Sequence, residues 1–180
     1  MSTHSPSVRK LLQPLGPFQE GAPEFTLTWE SFKEGAWEAL PLMRQHYEEV
    51  FDFTDRFPFN PQWNYLYALE REGFFHVLAI RDRGTLIGYI GVVLSPMLHT
   101  CDCLRARGDS FYIAPPWRGP IGLSSLFLRA IKECERKMKE LGVHRMEWVP
   151  KRKSDQHVDS GPVFKRLGYI ETEYVFSKLL

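Results

Sequence analysis

The feature that most constrains this chain is a pair of β-rich runs, FFHVLAI (residues 74–80) and LIGYIGVVL (residues 86–94), joined by the turn RDRGT. Aromatic and β-branched residues on both sides of a glycine-containing turn predict a hairpin, and a hairpin this apolar needs layers packed on it. DSFYIA (109–114) predicts a further strand and VHRMEWV (143–149) another. Helical spacing surrounds them. Phe32, Ala36, Leu40, Met43, Tyr47 and Val50 follow a possible capping box, Ser31 with Glu34, and Pro41 marks a kink or a restart. NPQWNYLYALEREG (60–73) predicts a helix with Asn60 as N-cap, Pro61 in the first turn and Gly73 just past the end. Leu123, Leu126, Phe127, Ala130, Ile131, Cys134, Met138 and Leu141 form one apolar stripe ended by Gly142. DSGPVFKRL predicts a short helix closed by Gly168, and YIETEYVFSKLL (169–180) alternates like a last strand. The expected order is ααβββαβαβ.

A length of 180 residues with 43% apolar and 25% charged side chains fits one domain with a sizeable core. Residues 1–24, rich in Ser, Pro and Gly, are expected to form an arm that at most docks on a body spanning 25–180. A net charge of +1 gives no field for nucleic acid, and the five tryptophans lie in no basic stripe. No apolar run is long enough to span a bilayer, and proline interrupts VRKLLQPLGPF before it forms a signal-peptide core, so a cytoplasmic location is expected. Three cysteines are an odd, sparse set and read as thiols. HTCDC places His99, Cys101 and Cys103 on one side of an extended segment, but without a fourth ligand no metal site is assigned.

The turn chemistry concentrates in YIAPPWRGPIGLSSL (112–126), where a strand breaks on two prolines and enters the longest well-patterned helix. N–H groups without partners at a helix start favour an anion such as phosphate. Gly119 and Gly122 permit close backbone approach, Arg118 adds charge, and Ser124 and Ser125 offer hydroxyls. An ordinary capped turn is the alternative.

With this element order, the segment resembles the pyrophosphate-binding motif Q/R-x-x-G-x-G/A of the GNAT superfamily, the acyl-CoA-dependent N-acyltransferases. VFKRLGYIETEYVFSKLL is similar to that family's closing helix, F-Y-E-K-L-G-F, and last antiparallel strand. The resemblance covers residues 28–180. From Arg118 the motif is one residue short, implying a tightened loop. The resemblance implies an α/β fold with a mixed, mostly antiparallel sheet and helices on both faces. It also implies acetyl-CoA as co-substrate and a primary amine as acceptor, whether a small molecule or a protein lysine or N-terminus. Backbone amides of Gly119, Ile121, Gly122, Leu123 and Ser124 would meet the diphosphate, with Phe111, Tyr112 and Ile113 beside the pantetheine. His157 stands where many members carry an asparagine, and Phe164 where they carry the tyrosine that protonates the leaving thiolate. Tyr169 or water could replace that acid.

An alkylamine with pKa about 10.4 is mostly protonated near neutrality, so acyl transfer needs a proton acceptor. Asp109, Glu147 and His99 are candidates, each equally readable as an ordinary rim residue. In RQHYEEV, His46, Tyr47 and Glu48 lie where the family's first helices wall the acceptor cleft, with Glu49 at i+3 from His46. The opposing expectation is a binding module of this fold, without turnover, that docks a protein through its aromatic first helices.

Overall fold

The structure, a computed structural model, describes residues 24–118, 122–150 and 161–173, together with 175 and 178. It opens with a strand that the sequence reading did not assign: β1 (Phe25–Glu30), where Phe25, Leu27 and Trp29 alternate with polar residues. Then come α1 (Phe32–Val50), α2 (Trp63–Arg71), the hairpin β2 (Phe75–Asp82) and β3 (Thr85–Pro96), β4 (Leu104–Ile113), α3 (Gly122–Glu140), β5 (Arg145–Trp148) and α4 (Gly161–Arg166). The sheet order is β1-β2-β3-β4-β5, antiparallel except for the parallel β4–β5 pair. The expected last strand falls partly outside the described residues, and 169–173 lie in no strand.

The β2–β3 turn places both Arg83 (φ 48°) and Gly84 (φ 82°) in the left-handed region. Positive φ at both central positions is the twist-matched geometry of a two-residue hairpin. α1 is one helix with Pro41 inside it. Ser31 Oγ accepts from Glu34 N–H, and Glu70 of α2 accepts from Phe32 and Lys33 N–H, so a carboxylate sits at the positive end of α1. α2 starts later than expected, with Gln62 rather than Asn60 as its cap. Arg81 clamps β2 to β1 and α1 through Glu30 (2.8 Å) and Glu38 (2.7 Å).

One sheet face packs Leu78, Ile80, Ile90 and Val92 against Leu126, Ala130, Cys134 and Met138 of α3. The other packs Ala79, Leu86, Tyr89 and Tyr112 against Leu42 of α1, and Phe75 against Phe32 and Ala36. Helices therefore cover both faces, as expected. Cys134 is fully buried, and burial pushes its thiol pKa up, whereas Cys101 is exposed. Among the described residues no helix is long and apolar enough to cross a membrane, and no three His, Cys, Asp or Glu side chains gather as a metal site.

Candidate active site

Two departures from regular pairing open the sheet at β4. Ser110 pairs with Gly91 but Gly108 pairs with Val92, so Asp109 is the extra residue of a bulge. On its other edge β4 pairs with β5 only over Arg105–Gly108. The last backbone link is a long one, from Val149 N–H to the Gly108 carbonyl at 3.4 Å. Gly108 is required here, because a Cβ would lie 2.3 Å from the Trp148 indole, which covers it. Past this point, among the described residues, no strand lies along that edge of Phe111–Ile113.

Aromatic rings line the opening. Phe164 stacks on Trp148 (6.0 Å between centroids) and meets Phe127 and Tyr169 edge-on, and Phe127 packs against Phe111. Trp148 Nε1–H donates to Tyr169 Oη at 2.9 Å, and that hydroxyl donates to Glu135 at 2.7 Å. Burial pushes the Tyr169 hydroxyl pKa up. The phenol considered as a substitute acid is thus held by Trp148 and Glu135.

After Ile113 the chain makes a single 3-10 turn, Pro115–Trp117, and α3 begins at Gly122. The start of α3 follows the same strand end at which β4 and β5 part, so its first-turn N–H groups lie at that end of the sheet. Gly119, Ile121 and His157 fall outside the described residues, as do the side chains of Leu123 and Ser124. Arg118, expected to meet phosphate, is occupied with protein instead. Its Nε–H donates to the Ile113 carbonyl, its two terminal nitrogens fork onto Glu49, and its guanidinium lies 4.8 Å over the Tyr112 ring. That fork holds the Glu49 carboxyl below its ordinary pKa.

On the α1 face, the bulge borders a cavity of about 200 Å³ between α1, α2, β2, β3 and β4. His46, Tyr47 and Asp109 line it, as do Tyr89 and Ser110. His46 is buried, with Nδ1 2.8 Å from Tyr89 Oη and its ring stacked 4.9 Å from Tyr112. Tyr47 donates to the Phe57 carbonyl and so anchors the segment between α1 and α2. Gly91 keeps the floor open, since a Cβ there would meet Ser110 Oγ at 2.5 Å and the Phe75 ring at 3.2 Å.

Three expected site residues stand elsewhere. Glu48 is exposed and outside the lining, and its neighbour Glu49, also outside the lining, pairs with Arg118 at the junction between β4 and α3. Glu147, with a side chain only 10% exposed, lies among Arg105, Arg107 and Arg145 at 2.9–3.8 Å and is absent from the lining. Three guanidiniums thus surround this carboxylate and tie it to the β4–β5 pair. His99 sits in the exposed β3–β4 turn, and five residues of strand at about 3.3 Å each put that turn roughly 16 Å from Asp109. Sequence reading overlooked Tyr89, although it carries the one hydroxyl within LIGYIGVVL.

The fold as a whole recurs in solved proteins. A ribosomal-protein-alanine N-acetyltransferase from Brucella melitensis superposes with a TM-score of 0.61 at 15% identity, covering 87% of this chain and 98% of that one. The fold is that of the GNAT acetyltransferases. An aminoglycoside acetyltransferase from an uncultured soil metagenomic sample matches with TM-score 0.63 at 15% identity, over 87% and 99% of the two chains. AAC(6')-Iy, solved with the bisubstrate analogue CoA-S-monomethyl-acetylneamine, gives 0.59 at 15% identity, over 87% and 98%. No family model matches the sequence, and no curated protein matches it. The GNAT likeness therefore lies in the backbone.

Proposed function

We propose that this chain transfers an acetyl group from acetyl-CoA to a primary amine by direct attack within a ternary complex. The observation that carries the reading is convergence at β4: the edge of Phe111–Ile113 opens toward β5 and the start of α3, while Asp109 and Ser110 border a cavity on the α1 side. A thioester laid along that edge and an amine in the cavity would meet across one strand.

In this reading the diphosphate rests on main-chain amides at the start of α3, Gly119, Ile121, Gly122, Leu123 and Ser124. N–H groups of the Phe111–Ile113 edge polarise the thioester carbonyl, with Phe164 packing beside the pantetheine and His157 within reach of it. Arg118 is a positioning residue that holds the junction against α1 through Glu49. The neutral amine nitrogen attacks the carbonyl carbon, the C–S bond breaks, and CoA leaves as thiolate. Asp109 takes the proton lost by nitrogen, directly or through one water. A CoA thiolate departs readily near neutral pH, so Phe164, which has no proton to give, is compatible with turnover.

Phe164 also favours a second reading, a binding module of the same fold without turnover. Thermal melting with acetyl-CoA, CoA or neither, followed by thiol release against a panel of amines, separates the two, because a ligand of the folded state must raise its stability. Stabilisation with thiol release is expected. Stabilisation with release at background on every amine supports the binding module, and no stabilisation removes the acyl-CoA site.

A further inference from the structure

We infer that the acceptor is an arylalkylamine, a primary amine on a single aromatic ring with a short chain. This rests on the acyltransferase reading above and specifies its second substrate. The cavity walls are overwhelmingly apolar: Met43, Phe51, Phe59, Leu66, Phe75 and Val93 contribute hydrocarbon or ring faces from α1, α2, the segment between them and the sheet. Polar groups gather at the β3–β4 side, where Asp109 and Ser110 stand at the bulge and His46 is held by Tyr89. The cavity thus has a hydrocarbon body and one polar end, and that end adjoins the edge where the thioester would lie.

Size and polarity together select the ligand. About 200 Å³ is below the roughly 300–1,000 Å³ typical of sites for drug-sized ligands, so one ring and a short chain fill it, whereas several sugar rings would project from its mouth. A hydroxyl-rich or polycationic acceptor would leave polar groups without partners wherever it lies against Phe51, Phe59 and Phe75, which disfavours it. A ring with a two-carbon tether buries its apolar area against these walls and puts its only polar atom beside Asp109. The wall is held in place: Arg44 lies 5.6 Å over Phe59, Tyr47 stacks on Phe51 at 4.8 Å, and Tyr47 Oη grips the Phe57 carbonyl.

The test uses the full chain saturated with acetyl-CoA and offers phenethylamine, ethylamine, spermidine, kanamycin and a peptide with N-terminal phenylalanine. Thiol release and product mass are read together. Phenethylamine is expected to show a KM at least tenfold below that of ethylamine and the highest kcat/KM of the set. Phe59→Ala should narrow the gap between these two amines at least fivefold, while Phe59→Leu, which keeps the wall apolar and guards against misfolding, should retain most of it. Acetylation of spermidine, kanamycin or the peptide in preference to phenethylamine overturns the acceptor assignment and leaves the acyltransferase reading standing. Calorimetric titration of phenethylamine and ethylamine onto the CoA-saturated chain needs no turnover. Tighter binding of phenethylamine supports the assignment even if thiol release fails, and equal or absent binding overturns it.

Discussion

Arg118 and Glu49, 69 residues apart in sequence, meet in a two-point fork that ties the last turns of α1 to the junction between β4 and α3. Tyr112 lies beneath the same guanidinium and His46 stacks on Tyr112, so the cavity wall and the proposed diphosphate loop share one stack of side chains. Glu49→Gln removes the charge of the fork. Both partners reach solvent, so the stability loss should be about 1 kcal/mol, while the KM for acetyl-CoA rises several-fold as the junction loosens. The pH dependence follows from the lowered carboxyl pKa. In acid the unfolded chain binds a proton at Glu49 that the folded chain resists, so this contribution is present above pH 4.5 and is lost as pH falls through the lower folded value. Urea melts of wild type and Glu49→Gln should therefore converge as pH falls from 4.5 through the lower pKa of the folded carboxyl.

Gly108→Ala places a methyl group into the Trp148 indole. The ring lies over the backbone at the point where β4 and β5 part, so it must move or the strands must separate earlier. A loss of roughly 1–3 kcal/mol is expected, accompanied by a change in tryptophan fluorescence. Unchanged melting and emission would show that the indole moves at no cost.

The two carboxylates considered for proton transfer should separate cleanly. Asp109→Asn is expected to lower kcat by about 10²–10⁴-fold, with little change in melting. Glu147→Gln should instead cost about 2 kcal/mol, because it leaves Arg105, Arg107 and Arg145 around an uncharged amide while their outer nitrogens keep contact with water. An effect of Glu147→Gln on kcat larger than that of Asp109→Asn would reverse these roles.

Tyr169→Phe breaks the link from Trp148 to Glu135 and should cost about 1–2 kcal/mol without changing kcat, since that hydroxyl is committed to structure. Phe164→Tyr returns a phenol to the position next to Trp148 and Phe127. It should raise kcat by up to about tenfold if protonation of the thiolate limits the rate. Stopped thiol-release assays on both variants check the pair.

Much of the architecture was legible in local chemistry. The hairpin turn, the glycine stops at Gly73, Gly142 and Gly168, all at positive φ, and the apolar stripe of α3 follow from short-range pattern. β1 escaped notice because six alternating residues next to a Pro- and Gly-rich arm carry little weight without their partner strand. The start of α2 slipped by two residues because Asn60 and Pro61 offer the expected start chemistry before the cap at Gln62. Residue type and place in the expected elements together marked Asp109, and the family resemblance marked His46 and Tyr47. The bulge, the Trp148 ring over Gly108 and the Glu49–Arg118 fork depend on register and on partners far apart in the chain, which a single sequence does not encode locally. Glu147 and His99 were named for their type and their place near strand ends, and the structure puts one among three arginines and the other in the β3–β4 turn.

The thiol of Cys134, sealed between α3 and the sheet, gives the molecule an internal reporter of opening. An alkylating reagent should modify Cys101 at once but reach Cys134 only when α3 lifts away, so the labelling rate at this one sulfur measures how often the main layer of the fold comes apart. Any ligand that braces the start of α3 should slow that rate, so the interior of the protein would register an event at its rim.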